Sequence, residues 1–269
     1  MPRVKDQLGN VYQFSSPPRR IVSLVPSLTE LLVDLGLEEK LVGLTKFCVH
    51  PNGLRDRKTV IGGTKNVRTE EVRKLQPDFI LASKEENTRR CVEELRKDIP
   101  VYVSDISNLD DLKVAVTDLG KIFQVGAAAE KRIIEIDELS NSLKAKVGKK
   151  QSCLYLIWKD PYMAAGTDTF ISEMLELTGC ENALKQLGEE GERYPRLTVE
   201  LMNKLAPDHI FLSSEPFPFK EKHAKDLSAK TAAKLRIVDG EAFSWYGTGV
   251  LRQGEYLQAF AQDVSSMHR

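Results

Sequence analysis

The chain has 269 residues, 41% of them hydrophobic, which is enough to bury a substantial core in one large domain or in two domains of about 130 residues. Its 39 basic and 39 acidic side chains balance, so there is no overall charge to attract nucleic acid or an anionic membrane surface. The opening residues MPRVKDQLGNVYQF lack the apolar core of a secretory signal, and no later stretch resembles a membrane span. We therefore expect a cytoplasmic protein, or a periplasmic or cell-surface protein if a signal has been removed.

Short strands and helices alternate along residues 1–108. The stretch VKDQLGNVYQF turns at Gly9-Asn10 and is typical of a small hairpin. RRIVSLVPS then predicts a buried strand, and SLTELLVDLGL predicts a helix with leucines along one face. Further strands are predicted at LVGLT, DFILAS and VYVSD, with helices at TEEVRKL and TRRCVEELRK. This alternation indicates a parallel α/β sheet.

Residues 109–149 contain no comparable strand. LDDLKVAVTDLGKIF predicts one amphipathic helix, and AAAEKRIIEIDELSNSLKAKV predicts a second helix of about 22 residues. After Gly148 the alternation restarts with the strand CLYLIW, the loop KDPYMAAGTDT and the helix FISEMLELTG. We therefore predict an N-terminal α/β lobe over 1–108, connecting helices over 109–149 and a C-terminal α/β lobe over 150–269.

One segment occurs twice, as KLQPDFILASKEEN at 74–87 and as KLAPDHIFLSSEPF at 204–217. Residues 70–85 and 200–215 agree at eight of sixteen positions, so the two lobes are predicted to be similar. The fold class is thus α/β, with two Rossmann-like lobes of parallel strands joined by a single long helix. Ligands of open α/β sheets bind outside the carboxyl ends of the strands, which predicts a cleft between the lobes that contains Glu85 and Glu215.

The loops after the strands are rich in aromatic and charged residues. Aromatic rings in a cleft can stack on a large flat ligand, although any single ring could instead pack the protein interior. The predicted ligand-binding residues are Phe47, His50, Lys65, Lys84, Glu85, Glu86, Trp158, Tyr162, Tyr194, Glu215, Phe217, Trp245 and Tyr246.

Four lysines, Lys46, Lys65, Lys84 and Lys159, lie at strand ends, where they would either favour a ligand with carboxylates or phosphates or be solvated. His50 and Cys48 are possible metal ligands, with a buried Cys48 and a turn-capping His50 as the alternative. The remaining histidines are predicted to lie in the core (His209) or in solvent (His223 and His268).

Familiar catalytic and nucleotide-binding motifs are absent. The sequence has no CxxC pair, no GxxxxGK[ST] or GxGxxG loop, and no GxSxG or HExxH motif. With only four histidines for acid–base chemistry, the sequence favours binding over catalysis. We therefore predict no catalytic residue and no catalytic cofactor.

The order of these segments resembles the periplasmic binding proteins with a helical backbone, which are receptors for cobalamin, haem and iron-siderophore ABC transporters. PPRRIVSLVPSLTELLVDLGL resembles the opening strand and helix of that family, and KLQPDFILA resembles its second signature. The resemblance covers nearly the whole chain and is greatest to the cobalamin-receptor branch. It implies that Phe47, His50, Pro161-Tyr162, Trp245 and Tyr246 lie in or near the aromatic binding loops.

The resemblance also implies an acidic residue on each lobe that docks onto arginines of a membrane permease. Here Arg89 stands where the first acid is expected, and the second position is ambiguous around Asp226. This departure puts the docking role in doubt.

We expect a monomeric, non-enzymatic receptor for a metal chelate, namely a corrinoid such as cobalamin, a haem or a ferric siderophore. It would insert into no membrane and bind no nucleic acid, and an ABC permease is a possible partner. The alternatives are a cytoplasmic chelatase-like enzyme, a carrier or sensor that has lost transporter docking, and a protein-interaction module with a degenerate cleft.

Overall fold

A computed structural model describes residues 3–188 and 192–266. These residues fall into two compact units. Unit 1 comprises the described residues within Met1–Ile106, Asp110–Ile136 and Trp245–Gly249. Unit 2 comprises those within Ser107–Leu109, Asp137–Ser244 and Val250–Arg269.

Unit 1 opens with the predicted hairpin, in which β1 (Arg3–Lys5) pairs antiparallel with β2 (Val11–Gln13). Its main sheet contains β3 (Ile21–Ser23), β4 (Leu41–Leu44), β5 (Thr59–Val60), β6 (Phe79–Ser83) and β7 (Val101–Ser104). These five strands are parallel, in the order β5-β4-β3-β6-β7. Every residue of β3, β6 and β7 is buried, as expected for parallel strands covered on both faces.

The helices of the first half of the chain are α1 (Pro26–Asp34), α2 (Leu54–Arg57), α3 (Thr69–Lys74), α4 (Arg89–Arg96), α5 (Leu109–Phe123) and α6 (Gly126–Lys144). A short 3-10 helix covers Glu38–Lys40. The 19-residue α6 corresponds to the predicted long helix, and the division between the two units falls within it, after Ile136. Within the described ranges, every helix is too short or too polar to span a bilayer.

Unit 2 contains β8 (Gln151–Trp158), β9 (Tyr162–Ala164), β10 (Cys180–Asn182), β11 (Arg196–Leu197), β12 (His209–Ser213) and β13 (Lys234–Val238). Its helices are α7 (Phe170–Leu177), α8 (Val199–Leu205), α9 (Glu221–Ser228), α10 (Gly240–Ser244), α11 (Gly249–Arg252) and α12 (Gly254–Ser266), with a 3-10 helix at Ala183–Leu187. The strand order is β11-β9-β8-β12-β13, and β10 pairs with the first residues of β8.

The sheet of unit 2 is parallel at its centre, but β9 and β11 are antiparallel. The sequence analysis assigned β9 to the loop KDPYMAAGTDT. In the structure Lys159, Asp160 and Pro161 form a tight turn, with Asp160 at φ 63°, so the chain reverses and pairs with β8. The antiparallel pair is therefore a product of this turn.

The segment that occurs twice forms the same structure in each unit. Each copy leaves its helix through a residue in the left-handed region, Gln76 at φ 47° and Ala206 at φ 45°. The chain then enters β6 in unit 1 or β12 in unit 2, and each of these strands is flanked on both sides by parallel strands.

The aspartate before each of these strands bonds to the chain at the start of the neighbouring strand in the sheet. The Asp78 carboxylate accepts the backbone N–H groups of Arg19 (2.8 Å) and Arg20 (2.7 Å), just before β3. In the same way, the Asp208 carboxylate accepts the backbone N–H of Ser152 (2.8 Å) in β8. Part of the duplicated sequence therefore aligns neighbouring strands.

The C-terminal lobe was predicted to extend without interruption over 150–269, but Trp245–Gly249 belongs to unit 1. This difference arises from contacts with residues distant in sequence. The Trp245 ring packs against His50, and the Tyr246 hydroxyl donates to Ser83 Oγ (3.1 Å).

Candidate functional site

The loops at the carboxyl ends of the unit 1 strands are held together by Asn87. Its Oδ1 accepts the backbone N–H of Ser83 (2.8 Å), and its Nδ2 donates to the carbonyl groups of Leu24 (3.2 Å) and Thr64 (3.0 Å). Three loops that follow different strands are thus joined by one buried amide. The sequence predicts no role for Asn87, because two of its partners, Leu24 and Thr64, are distant in sequence.

Trp245 and Tyr246 are largely enclosed by unit 1. Trp245 is 9% exposed, and its ring centroid lies 5.1 Å from that of His50 in an edge-to-face arrangement. Tyr246 is 4% exposed, and its hydroxyl lies 3.5 Å from Glu86 Oε1 in addition to its bond to Ser83. Unit 1 therefore brings together His50, Glu86, Trp245 and Tyr246, all of which are predicted ligand-binding residues.

Burial raises the pKa of the Tyr246 hydroxyl well above its usual value, and the carboxylates of Glu86 and Glu85 raise it further. Tyr246 is therefore a protonated hydrogen-bond donor at neutral pH. It positions the loop that carries Glu85 and Glu86.

Cys48, two residues before His50, is a buried thiol. Its Sγ lies 3.2 Å from Thr29 Oγ1 and 3.3 Å from Thr45 Oγ1. Burial raises the pKa of the Cys48 thiol, whereas the two threonine hydroxyls lower it. Within residues 3–188 and 192–266 there is no group of three or more His, Cys, Asp or Glu side chains arranged to hold a metal ion. Cys48 is buried in the structure, which agrees with the alternative to a metal-binding role.

Phe47 differs from the enclosed rings of unit 1, since 48% of its surface is exposed. The Lys46 ammonium lies 4.9 Å from the Phe47 ring centroid. A Cβ at Gly63 would lie 3.2 Å from Phe47 Cε2, so glycine at 63 leaves room for this ring. Phe47 is therefore an apolar surface on a site loop, bordered by one cation.

The other lysines of the predicted site are engaged within the protein. Lys65 donates to the backbone carbonyl of Glu85 (2.5 Å). Lys84 pairs with Asp105 (2.5 Å), and Lys159 pairs with Asp160 (2.7 Å). The charges of Lys84 and Lys159 are therefore partly balanced within their own units.

In unit 2, the turn between β8 and β9 carries Trp158 at one end and Tyr162 at the other. The Trp158 ring is 41% exposed and meets the Phe217 ring edge-to-face at 5.7 Å between centroids. Phe217 in turn packs on Phe219 at 4.8 Å. We refer to Trp158, Phe217 and Phe219 as the unit 2 aromatic cluster.

His223 is also part of this region, with its ring 5.3 Å from that of Phe217. Its Nδ1 accepts the backbone N–H of Lys220 (3.0 Å) at the start of α9. The prediction that His223 is solvated is therefore wrong, because the helix start turns its ring onto Phe217 and Phe219. His209 is buried as predicted, and His268 lies outside the described residues.

Glu215 is held at the end of β12 by several contacts. Ser213 Oγ donates to the Glu215 carbonyl (2.6 Å), and Ser244 Oγ donates to Glu215 Oε1 (2.9 Å). A Cβ at Gly240 would come within 2.5 Å of Glu215 Cγ, so only glycine fits there. The predicted position of Glu215 at a strand end is thus rigidly defined.

The two serines that end the duplicated strands are held in the same way. Ser83 receives the hydroxyl of Tyr246, and Ser213 receives that of Tyr155, each at 3.1 Å. The two tyrosines come from unrelated positions, Tyr155 from β8 and Tyr246 from the residues after α10. The duplicated sequence contains both serines, but it predicts no role for them or for Tyr155.

Tyr194 lies half-buried in the segment that precedes β11. Its neighbours pair with the chain after β9, since the backbone N–H of Gly166 donates to Arg193 O (2.7 Å) and that of Ala164 donates to Pro195 O (3.0 Å). The structure thus places Tyr194 next to the strand that begins with Tyr162.

A comparison with protein families decides the affiliation of this chain. The profile of the family described as periplasmic binding protein matches residues 21–234. The chain belongs to the periplasmic binding protein family. It is accordingly a substrate-binding protein and not an enzyme, and the chelatase-like alternative is set aside.

Two relatives of this binding protein have names that describe substrate binding. A vitamin B12-binding protein of Vibrio campbellii (strain ATCC BAA-1116) is 25% identical over 202 residues, which cover 74% of this chain and 72% of that protein. An uncharacterized ABC transporter substrate-binding lipoprotein of Bacillus subtilis (strain 168), YvrC, is 29% identical over 208 residues, which cover 72% of this chain and 63% of the lipoprotein.

Among solved structures, the periplasmic haem-binding protein HutB of Vibrio cholerae is similar to this binding protein. The TM-score is 0.73 at 25% sequence identity, and the match covers 89% of this chain and 97% of HutB. The expected α/β architecture with two lobes is thus confirmed.

The expectation of a cytoplasmic location is wrong. The family consists of periplasmic binding proteins, and the Bacillus relative is a lipoprotein, so the relatives point to a location outside the cytoplasm. The expectation rested on the absence of a secretory-signal pattern in the opening residues and of a membrane span elsewhere in the sequence. Neither absence determines the compartment in which the folded domain works.

The enclosed Tyr246 hydroxyl leads to a prediction about alkaline pH. An unfolded tyrosine loses its proton near pH 10, whereas folded Tyr246 keeps it to higher pH. The folded state then binds more protons than the unfolded state, so the free energy of unfolding decreases as pH rises above about 10. Tyr246→Phe should make this decrease shallower and should cost about 1 kcal/mol at pH 7 through the lost hydrogen bond.

Urea unfolding of the wild type and of Tyr246→Phe at pH 7 and at pH 10.5 measures both effects. The Tyr246→Phe variant should still lose some stability at high pH through Tyr155, whose pKa is also raised by burial. Equal slopes against pH in the two proteins would contradict the assigned environment of Tyr246.

Proposed function

We propose that this binding protein is the receptor of an ABC transporter for a corrinoid of the vitamin B12 class. The observation that carries the proposal is the presence of large exposed rings on the strand-end loops, Phe47 in unit 1 and Trp158 in unit 2. Exposed rings of this size suit a ligand with broad apolar faces, and they recur at the energetic centres of binding sites. The vitamin B12-binding relative supports the same ligand class.

The carboxylates at the strand ends support a corrinoid over a haem. Glu85 and Glu86 are half-buried in unit 1, and Glu215 is half-buried in unit 2. The edge of a corrin ring carries amides, which can donate hydrogen bonds to carboxylates. A haem carries two propionates, which would be repelled at short range in a partly buried site. Two of the lysines that could offset this repulsion, Lys84 and Lys159, are already paired with Asp105 and Asp160.

A haem is the second candidate, because the similar structure HutB is a haem-binding protein. His50 is the residue of unit 1 best suited to approach a haem iron, since imidazole is a common iron ligand. Its ring is packed edge-on against Trp245. A haem would therefore have to accept His50 in this orientation or displace Trp245.

Docking onto an ABC permease is also part of the proposal, supported by the substrate-binding lipoprotein relative. Arg89 lies on α4 and pairs with Glu93 one turn later (2.5 Å). Glu93 therefore supplies an exposed carboxylate on the helix where an acid was expected. We infer that Glu93 could contact the permease in place of the acid that the family resemblance implies at the position of Arg89.

The ligand assignment is tested with purified, ligand-free protein. Cyanocobalamin, haemin and a ferric siderophore are each titrated by calorimetry and by thermal unfolding. We expect cyanocobalamin to bind and to raise Tm in a concentration-dependent manner, because a ligand that binds only the folded state stabilises it. Binding of haemin without binding of cyanocobalamin would overturn the corrinoid assignment in favour of the second candidate. Absence of binding by all three compounds would overturn the proposed ligand class.

A further inference from the structure

Two cysteines of unit 2 lie on neighbouring strands. β10 pairs with β8 in parallel register, with Cys180 opposite Gln151 and Asn182 opposite Cys153. Residues opposite one another, and residues two apart in one strand, point to the same face of a sheet. Cys153 and Cys180 therefore project from the same face, two residues apart along the strands, with the pair Glu181 and Ser152 between them.

Both thiols are fully buried, and each is within hydrogen-bonding reach of the other. Burial, together with the neighbouring Cys180 thiol, raises the pKa of the Cys153 thiol well above its usual value. The other two cysteines, Cys48 and Cys91, belong to unit 1. The proximity of Cys153 and Cys180 is thus a property of the unit 2 fold alone.

We propose that Cys153 and Cys180 form a disulfide bond in the mature protein. The location outside the cytoplasm is one where disulfides form and persist. The start of β10 can approach β8, because Gly179, at φ 90°, precedes Cys180, and because β10 pairs with β8 alone among the described strands. Bond formation requires the start of β10 to shift toward β8 until the two sulfur atoms reach bonding distance.

The oxidant is an external disulfide, RSSR, of the kind supplied by oxidised glutathione or by a disulfide oxidoreductase. The thiolate of one cysteine attacks RSSR to form a mixed disulfide and releases one RS⁻. The thiolate of the second cysteine then attacks the cysteine sulfur of the mixed disulfide and releases the second RS⁻. The two protons lost by the cysteines end on two RSH molecules, so the chain loses two hydrogen atoms and RSSR gains them.

The reaction must precede the closure of unit 2, because neither thiol is accessible in the folded state. Folded, reduced protein should therefore oxidise slowly, since a thiol with a raised pKa supplies little thiolate. The bond would close the loop 153–180, which contains the turn with Trp158 and Tyr162. It would thereby restrain one of the predicted ligand-binding segments.

The full chain is unfolded with reductant and refolded either in a mixture of reduced and oxidised glutathione or in dithiothreitol. Each sample is then denatured and its free thiols are alkylated before mass spectrometry. We expect two alkylated cysteines after the glutathione refold, with a peptide map linking Cys153 to Cys180. Four alkylated cysteines after that refold, or a different linkage, would overturn the proposal.

Thermal unfolding gives a second readout. The oxidised protein should have a Tm about 5–10 °C above that of the dithiothreitol-refolded protein, because a closed loop restricts the unfolded chain. This difference should disappear in Cys180→Ala and persist in the control Cys91→Ala. A Tm difference that persists in Cys180→Ala would contradict the assignment of the bond, and so would an oxidised wild type no more stable than the reduced protein.

Discussion

Trp158→Ala is expected to weaken cyanocobalamin binding by about 1–3 kcal/mol, or about 5- to 150-fold in Kd. The Trp158 ring lies at the end of β8 and is 41% exposed, so the folded protein leaves much of its surface free to contact a ligand. Loss of such a ring removes its buried area in the complex and any stacking on the ligand. Isothermal titration calorimetry at a fixed salt concentration measures the change.

The control for Trp158→Ala is Leu187→Ala. Leu187 is an exposed apolar residue of the same unit, 56% exposed, and it lies outside the unit 2 aromatic cluster. We expect its substitution to leave Kd unchanged within about twofold. Both variants should unfold within about 1 kcal/mol of the wild type, because both side chains are substantially exposed. Wild-type affinity in a folded Trp158→Ala protein would remove Trp158 from the site.

The parallel substitution Phe47→Ala examines unit 1 separately. A loss of affinity in only one of the two variants would assign the ligand contact to that unit. This comparison is informative because the two exposed rings were selected by the structure from a longer set of aromatic candidates.

Asp6→Ala is expected to lower the free energy of unfolding by about 3–5 kcal/mol. The Asp6 carboxylate is buried and accepts the backbone N–H groups of Asn10 (2.7 Å), Leu8 (3.1 Å) and Val103 (3.3 Å). It also lies 3.5 Å from Arg96 Nη2. Alanine would leave these donors without their acceptor and would remove the hydrogen bond that joins Asp6 to Val103 in β7.

Urea unfolding monitored by circular dichroism measures this loss. The matched control is Asp98→Ala, since Asp98 pairs with Arg73 at 3.3 Å but its side chain is 61% exposed. Exposed ion pairs contribute little, so the control should change stability by less than about 1 kcal/mol. If Asp6→Ala lowered the free energy of unfolding no more than Asp98→Ala does, the Asp6 carboxylate would not be a main contributor to the stability of the hairpin.

The separation between buried and exposed rings could not be predicted from the sequence. Trp158 and Trp245 are both predicted ligand-binding residues, and the sequence pattern does not distinguish their exposure. In the structure Trp245 is enclosed by His50 and its neighbours, whereas Trp158 is supported on one side by Phe217. Exposure is decided by contacts between segments distant along the chain, which composition and periodicity do not encode.

The lysines show the same limit. The sequence predicts that Lys84 and Lys159 follow strands, as they do in the structure. It does not predict which acids pair with them. Asp160 is the next residue after Lys159, and Asp105 follows β7, the strand beside β6. With acids so abundant in the chain, only the folded arrangement identifies the pair that forms.

The sequence by itself determined the local structure, the fold class and the duplication. Strands such as β6 and β12 and the helix α5 agree with their predicted ranges, because hydrophobic periodicity is a local property that depends on few neighbours. The duplicated segment likewise predicted equivalent strands, which in the structure end at Ser83 and Ser213.

Only the tertiary structure decided how those strand ends are held and which side chains remain exposed. Asn87, Tyr155 and Gly240 position the site loops through partners 23 or more residues away in sequence. The return of Trp245–Gly249 to unit 1 and the juxtaposition of Cys153 with Cys180 have the same origin. Long-range packing selects one set of contacts among many that the local pattern allows, so these features follow from the folded chain and not from any single segment.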